Sequence, residues 1–300
     1  MGKPEPNVIV ARSLDEARGA LADHPDAMVL AGGTDLMVQI NRGLRRLHRV
    51  VGVSRVPELR RWQVFEHRVA VGSGVTYTEM LTDPMLVEAA PALAQAARTV
   101  GSPPIRNAGT LGGNLATASP ASDTLPVLAA LDARIVVTGP GGERRLSLDE
   151  FVIGVKQTVL APGELIVRAE LDRPRGHQEF LKIGPRNAMV ISIASVALVA
   201  DHDARTVRCA MGAVAAGIPR ARDAEAWVAD RIDWDGGTAP DDALAAEFGR
   251  RVAAAASPID DHRASAAYRH HAVGVLATRA LERAFSPTTG GTRMNGNDNA

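Results

Sequence analysis

The sequence predicts an α+β protein of two units, and three observations carry that prediction. A short apolar run ends in a glycine pair at AMVLAGG (27–33) and is followed by helical and then strand-like spacing, which describes a small parallel β–loop–α–β element. Residues 62–76 alternate apolar and polar like strands around a turn, and a helical stretch follows. From residue 177 a group of strand-like segments gives way to helices rich in Ala and charge, an order that argues α+β rather than alternating α/β. Three hundred residues are enough for two compact units with separate cores.

Taken in order, SLDEARGALA (13–22) opens with a Ser cap and has Glu16 three residues on, the capping-box signature, with apolar residues at helical spacing. After the AGG turn, TDLMVQINRGL starts a helix with Thr34 or Asp35 as N-cap, and VVGVSRV reads as the next strand. YTEMLTDPMLVEAAPALAQAARTV (77–100) is helical with a proline break. A glycine-rich segment, IRNAGTLGGN, follows. Residues 123–138 give a short capped helix and a strand, PGG (140–142) closes a hairpin, and LSLDEFVIG and ELIVRAEL are further short elements. RPRG (173–176) interrupts the pattern and marks a boundary between a unit at 1–173, itself divided near residue 56 into subdomains 1–56 and 57–173, and one at 174–285. The second unit starts with HQEFLKIG, MVISIASVALVAD and TVRCAMGAV as strands and continues with three helices ending in SAAYRHHAVGVLATRALERAF. Residues 286–300 are a polar tail expected to be disordered.

Composition excludes several function classes. Hydrophobic residues are 46% and charged residues 23%, an ordinary globular balance. Lys plus Arg equal Asp plus Glu at 34 each, so no field gathers nucleic acid or an anionic membrane. The N-terminus lacks a signal-peptide h-region and no run reaches the eighteen or so apolar residues of a membrane span, which makes a cytoplasmic location the expectation. Cys209 is the single cysteine, expected buried and inert, so an iron–sulfur cluster cannot be held by this chain alone. The eight histidines are scattered and no metal site is expected.

The known phosphate motifs fail: GSGVTY (72–77) lacks the third glycine of a dinucleotide fingerprint, and no P-loop occurs. Two glycine pairs remain. Backbone N–H groups of AGGTDL, after a strand and before a helix, can point at an anion, and TLGGN can oppose them with Thr110 and Asn114 as side-chain donors, an arrangement suited to a diphosphate.

IRNAGTLGGNLATASPASDTLPVLAALDA (105–133) resembles the FAD-binding, or medium, subunit of the molybdenum-containing hydroxylases related to xanthine dehydrogenase and carbon monoxide dehydrogenase. AGGTDL is similar to the first flavin loop of that family, KIGPRNAMVISIASVA (182–197) to the opening of its C-terminal domain, and DHRASAAYRHHAVGVLATRAL (261–281) to its end. The resemblance covers residues 5–285. It implies a fold of the vanillyl-alcohol-oxidase or PCMH type, in which a small parallel βαβ subdomain and a mixed, mostly antiparallel subdomain clasp FAD, followed by a C-terminal antiparallel sheet with helices. It also implies an oxidoreductase subunit whose partners are a large molybdopterin-binding subunit and a small subunit with two [2Fe-2S] clusters. Electrons would pass from those clusters through FAD to NAD⁺ or O₂.

Carried over by residue, the resemblance places Ala31, Gly32, Gly33, Thr34, Asp35 and Leu36 on the FAD pyrophosphate, and Thr110, Leu111, Gly112, Gly113 and Asn114 on the second loop, with Gly113 and Asn114 nearest the flavin. Asp123 would bind ribose or serve as an N-cap. Ile166 would touch adenine or fill the core. Lys182 would stabilise charge at the flavin N1/C2 edge or be a surface strand lysine. No residue of this chain is expected to act as a catalytic acid or base. Arg106 and Asn107 border the second loop and would line either the ring or a subunit interface. Pro103 and Pro104 stand where relatives carry Gln, removing two backbone donors. The basic RGLRRLHR (42–49) is either a solvated helix end or a partner contact. A stand-alone FAD-dependent oxidoreductase and a non-catalytic nucleotide-binding assembly module remain the alternative readings.

Overall fold

The computed structural model describes residues 7–46, 48–236 and 238–286. The N-terminal unit opens with strand β1 (Asn7–Val10), helix α1 (Leu14–Asp23), β2 (Met28–Leu30), α2 (Leu36–Asn41) and β3 (Arg49–Gly52). The strands form a parallel sheet in the order β1-β3-β2. Ser13 caps α1 by accepting from the Glu16 N–H, whereas the Glu16 carboxylate accepts from the N–H of Arg12, one residue before the position the capping box predicts. Helix α2 is shorter than its sequence spacing indicates, and Asp35 occupies its N-cap position without a capping hydrogen bond from the side chain. The Asp35 carboxylate reaches forward to the amide of Gln39 instead.

A short 3₁₀ turn (Pro57–Arg60) leads to β4 (Trp62–Val64), β5 (Arg68–Gly72) and the helices α3 (Tyr77–Thr82), α4 (Pro84–Ala89), α5 (Pro91–Thr99), α6 (Pro103–Ala108), α7 (Leu111–Thr117) and α8 (Thr124–Ala130). The helical run at 77–100 breaks twice because Pro84 and Pro91 each occupy a first-turn position, where the missing N–H is tolerated but the preceding helix must stop. Pro103 and Pro104 likewise open α6. The Gly112–Gly113 pair lies in the first turn of α7, so the second glycine segment is helix and not loop; Thr110 caps it by accepting from the Gly113 N–H at 3.1 Å. β6 (Arg134–Gly139), β7 (Gly142–Ser147), α9 (Leu148–Phe151), β8 (Val152–Gly154), β9 (Gln157–Thr158) and β10 (Leu165–Asp172) complete the unit. An antiparallel sheet results, in the order β4-β5-β10-β6-β7, with β8 and β9 as a separate hairpin. The expected turn at 140–142 closes β6 onto β7.

The C-terminal segment pairs β11 (Gln178–Ile183), β12 (Ala194–Asp201) and β13 (Thr206–Gly212) antiparallel and adds α10 (Arg222–Ala229), α11 (Asp242–Ala254) and α12 (Ala266–Phe285). Residues 287–300, most of the expected tail, lie outside the described residues. The period of two along a strand divides β12 between two cores. Ala197 and Val199 pack into the core of the large antiparallel sheet and helices α3–α8, while Ala194, Val196, Leu198 and Ala200 face α10–α12. Cys209 lies on the α10–α12 side, fully buried, and burial pushes its thiol well above the ordinary range, consistent with an inert side chain.

A third core joins α1 and β3 to Leu165 and Val167 of β10. A register shift between Ile166 and Arg168 lets neighbouring β10 residues feed different cores, because Ile166 and Ala169 belong to the larger one. β10 thus joins the parallel and antiparallel sheets, and the space between them becomes the site.

Candidate functional site

A cleft of about 290 Å³ opens where the carboxyl ends of β2 and β3 face β5, α7 and β10. Ligands of parallel sheets bind beyond the carboxyl ends of their strands, where backbone N–H groups emerge from the turns. On the parallel side the walls are Val29, Ala31, Gly32, Val53 and Ser54; opposite stand Ser73, Gly74, Thr110, Gly112 and Gly113; Leu160, Leu165 and Ile166 form an apolar end. The volume lies near the lower end of small-molecule sites, which run from about 300 to 1,000 Å³. Such a space takes part of a dinucleotide.

The two glycine segments meet here through backbone, and for different reasons. A Cβ on Gly32 would lie 1.6 Å from the carbonyl oxygen of Ala108, so only glycine lets the first turn touch the 108–109 segment. Gly33 holds φ at +71°, a left-handed conformation that turns the chain into α2. Among the described residues the N–H groups of Gly32, Gly33, Thr34 and Asp35 make no hydrogen bond, which leaves them for a ligand or solvent.

The second segment is different. The Leu111 and Gly112 N–H groups donate to the carbonyls of Val75 and Ser73, that of Gly113 to the Thr110 hydroxyl, and that of Asn114 to the Thr110 carbonyl. The donors expected of TLGGN are therefore spent on seating α7, and Gly112 is glycine because a Cβ there would come within 2.5 Å of Ser73 Cβ. Its contribution to the cleft is a smooth wall rather than a set of donors.

Of the residues singled out from sequence, the structure brings Ala31, Gly32, Thr110, Gly112, Gly113 and Ile166 to the cleft. Gly33, Thr34, Asp35 and Leu36 follow directly along the turn, and Leu111, the first residue of α7, is buried. Asn114, Asp123 and Lys182 form a second, interior cluster. Lys182 Nζ lies 2.6 Å from Asp123 Oδ2 and also donates to the carbonyls of Thr99 and Val190. Asp123 further accepts from Thr99 Oγ1 at 2.8 Å and Ser192 Oγ at 2.6 Å. This occupies its carboxylate, which makes no N-cap bond to α8. Asn114 Oδ1 accepts from the hydroxyls of Ser122 and Thr124. Beside them, burial first and the nearby Asp123 charge second push the Tyr77 phenol far above its ordinary value, against a hydrogen bond with Asn114.

Arg106 and Asn107, inseparable in sequence, part company. Arg106 staples the carbonyls of Val100 and Gly101, whereas Asn107 lines the cleft and accepts from Thr78 Oγ1. Sequence reasoning missed Ser54, Arg60, Ser73, Thr76 and Glu164, all on the cleft wall. The only available signal was position, since Ser54 follows a parallel strand and Glu164 precedes β10. Glu164 binds Arg144 through both its oxygens, at 2.8 and 2.7 Å, and that pairing holds its carboxyl below the usual range despite partial burial. Burial opposes ionisation of Glu79, but hydrogen bonds from the Thr76 N–H and from Arg60 prevail and lower it.

Sequence comparison matches residues 4–173 to the FAD binding domain in molybdopterin dehydrogenase. The chain belongs to this family. Residues 179–284 match the CO dehydrogenase flavoprotein C-terminal domain. The nicotine 6-hydroxylase medium subunit of Paenarthrobacter nicotinovorans is 31% identical over 92% of this chain and 96% of its own length. The nicotinate dehydrogenase FAD-subunit of Eubacterium barkeri is 34% identical over 61% of the chain, and that match spans just under two thirds, 64%, of the relative. Among solved structures, quinoline 2-oxidoreductase from Pseudomonas putida 86 superposes with a TM-score of 0.84 at 27% identity, covering 95% of this chain and 98% of the other. The fold is accordingly that of the flavin-binding medium subunits, and the protein is an FAD-binding oxidoreductase subunit. No helix among the described residues is long and apolar enough to cross a membrane. No group of three or more His, Cys, Asp or Glu among them could hold a metal.

Proposed function

We propose that this chain is the electron-transferring FAD subunit of a molybdenum-containing hydroxylase, working with a large molybdopterin-binding subunit and a small [2Fe-2S] subunit and delivering electrons to NAD⁺ or O₂. The observation that carries the reading is the turn whose N–H groups at Gly32–Asp35 are free and whose Ala31 and Gly32 line the same cleft as an apolar wall. The turn suits the diphosphate of FAD, and the apolar end at Leu160, Leu165 and Ile166 suits its adenine. FAD, when bound, accepts electrons singly and passes them on in pairs, joining a one-electron donor to a two-electron acceptor.

The chain's own residues then bind, orient and exclude water. Ala31 to Leu36 present the first turn; Thr110 and Leu111 seat α7 so that Gly112 and Gly113 offer a flat wall. Asn114 holds the hydroxyls of Ser122 and Thr124 on either side of Asp123, which pairs with Lys182; Asn114 is proposed nearest the flavin, Asp123 for the ribose hydroxyls and Lys182 for the N1/C2 edge of the ring. Their mutual pairing at 2.6 Å keeps both charges in place inside the protein. The segments 1–173 and 174–285 are proposed as its two domains. No side chain here is assigned proton transfer to the hydroxylated substrate, whose pocket belongs to the partner.

The test is direct. The purified chain, incubated with FAD and gel-filtered, carries one flavin per polypeptide, and NADH bleaches it anaerobically if a nicotinamide is the physiological acceptor. A colourless chain after that treatment refutes the FAD assignment; a flavin reduced by small organic substrates without partner subunits supports the stand-alone oxidoreductase instead.

A further inference from the structure

We propose that Arg60 supplies the formal positive charge that holds the diphosphate of FAD in this cleft, an inference that rests on the FAD-site reading above. The free N–H groups of Gly32–Asp35 offer partial charges only, and taking a doubly charged diphosphate out of water without a cation is costly. Among the described residues lining the cleft, the charged side chains are Arg60 and Glu164. Glu164 is already matched by Arg144 through two hydrogen bonds. Arg60 is therefore the cation the cleft presents.

Its placement follows from the chain. Arg60 ends the 3₁₀ turn after β3, so the same strand that leads to Ser54 in one wall delivers the guanidinium to the rim. The aliphatic stem is laid across Gly74, where a Cβ would come within 3.1 Å of Arg60 Cγ. The head is half-exposed, with 48% of the side chain accessible, and donates from Nη2 to Glu79 Oε1 at 2.6 Å. A guanidinium has five N–H donors, and among the described residues the others make no hydrogen bond. Glu79 is itself fixed through its second oxygen, which accepts from the Thr76 N–H and hydroxyl at 2.8 and 2.7 Å, so the head is aimed by a partner anchored to the cleft wall. The planar fork of Arg matches two phosphate oxygens at once, which a lysine cannot do.

The test measures FAD affinity of the purified chain by flavin fluorescence, from low to high salt, for the wild type and for Arg60→Gln, Arg60→Lys and Glu79→Gln, with each variant's apo melting temperature. Arg60→Gln is expected to weaken FAD about tenfold, as for loss of one charge-assisted contact at a half-exposed site, and to flatten the salt dependence. Arg60→Lys restores part of both. Glu79→Gln lowers the melting temperature but leaves FAD affinity salt-dependent, because the cation remains. The proposal is overturned if Arg60→Gln binds FAD like the wild type or if its salt dependence is unchanged, since Arg60 would then only support the helix cap. A wild-type chain that binds no FAD overturns the site reading itself, a result distinct from all of these.

Discussion

Replacing Gly32 by Ala tests whether backbone contact between the two glycine segments shapes the cleft. The added Cβ would lie 1.6 Å from Ala108 O and 2.4 Å from Ala108 C, whereas real Cβ atoms keep at least 3.0 Å. One backbone must therefore retreat by about 1.4 Å, and no side-chain rotation can relieve the clash because both offending atoms are main chain. Overpacking of this kind costs about 1–3 kcal/mol. The retreat moves the free N–H groups of the first turn away from the α7 wall, so the same order of energy should be lost from FAD binding, about 5- to 150-fold in Kd. Isothermal titration with FAD and thermal melts of the apo chain measure the two quantities. The outcome that refutes the reasoning is a Gly32→Ala chain with wild-type Kd and wild-type melting temperature, since the segments would then not meet as described.

Other expectations follow from single contacts. Gly19→Ala, on the exposed face of α1 with nothing within 4 Å of the new Cβ, should stabilise by about 0.5–1 kcal/mol and raise the melting temperature without touching FAD affinity. Lys182→Met strands the Asp123 carboxylate, 6% exposed, and should cost about 3–5 kcal/mol in denaturant unfolding; adding Asp123→Leu should recover much of it, and a double variant no better than the single one contradicts the pairing. The folded-state carboxyl of Glu164 is depressed, so its stabilising contribution is complete above the unfolded value of about 4.3 and is lost as pH falls through the lower folded one. Acid unfolding curves of Glu164→Gln should accordingly converge with the wild type at low pH and diverge above it; curves parallel throughout would show that ionisation of Glu164 contributes nothing.

Local chemistry was the legible part. Ser13, the strand-like apolar run of β12 and the PGG hairpin all act over a few residues, and pattern alone reads them. The resemblance reached further: six of the residues it suggests for the cofactor line one cleft. What sequence could not show is how N–H groups are spent. The glycines of AGGTDL and TLGGN look equivalent in a string of letters, yet one set stays free and the other is consumed by the carbonyls of Ser73 and Val75, which lie some forty residues away along the chain. Asp123 and Lys182 are separate candidates in sequence for the same reason: their pairing joins the start of α8 to β11, segments that only tertiary packing brings together. Arg60 is not legible in the sequence, because an arginine after a short turn is ordinary until the turn is seen to end at a cleft.

The double allegiance of β12 has an engineering consequence. Removing everything after residue 173 would strip Phe180, Ala197, Val199, Ala210 and Ile218 from the core that also contains Leu93, Leu128 and Ile135. A flavin-binding fragment cut at that point would display an oily scar and invite aggregation. Chimaeras between medium subunits should therefore exchange β11–β13 only together with the helices α5 and α8 they lie against.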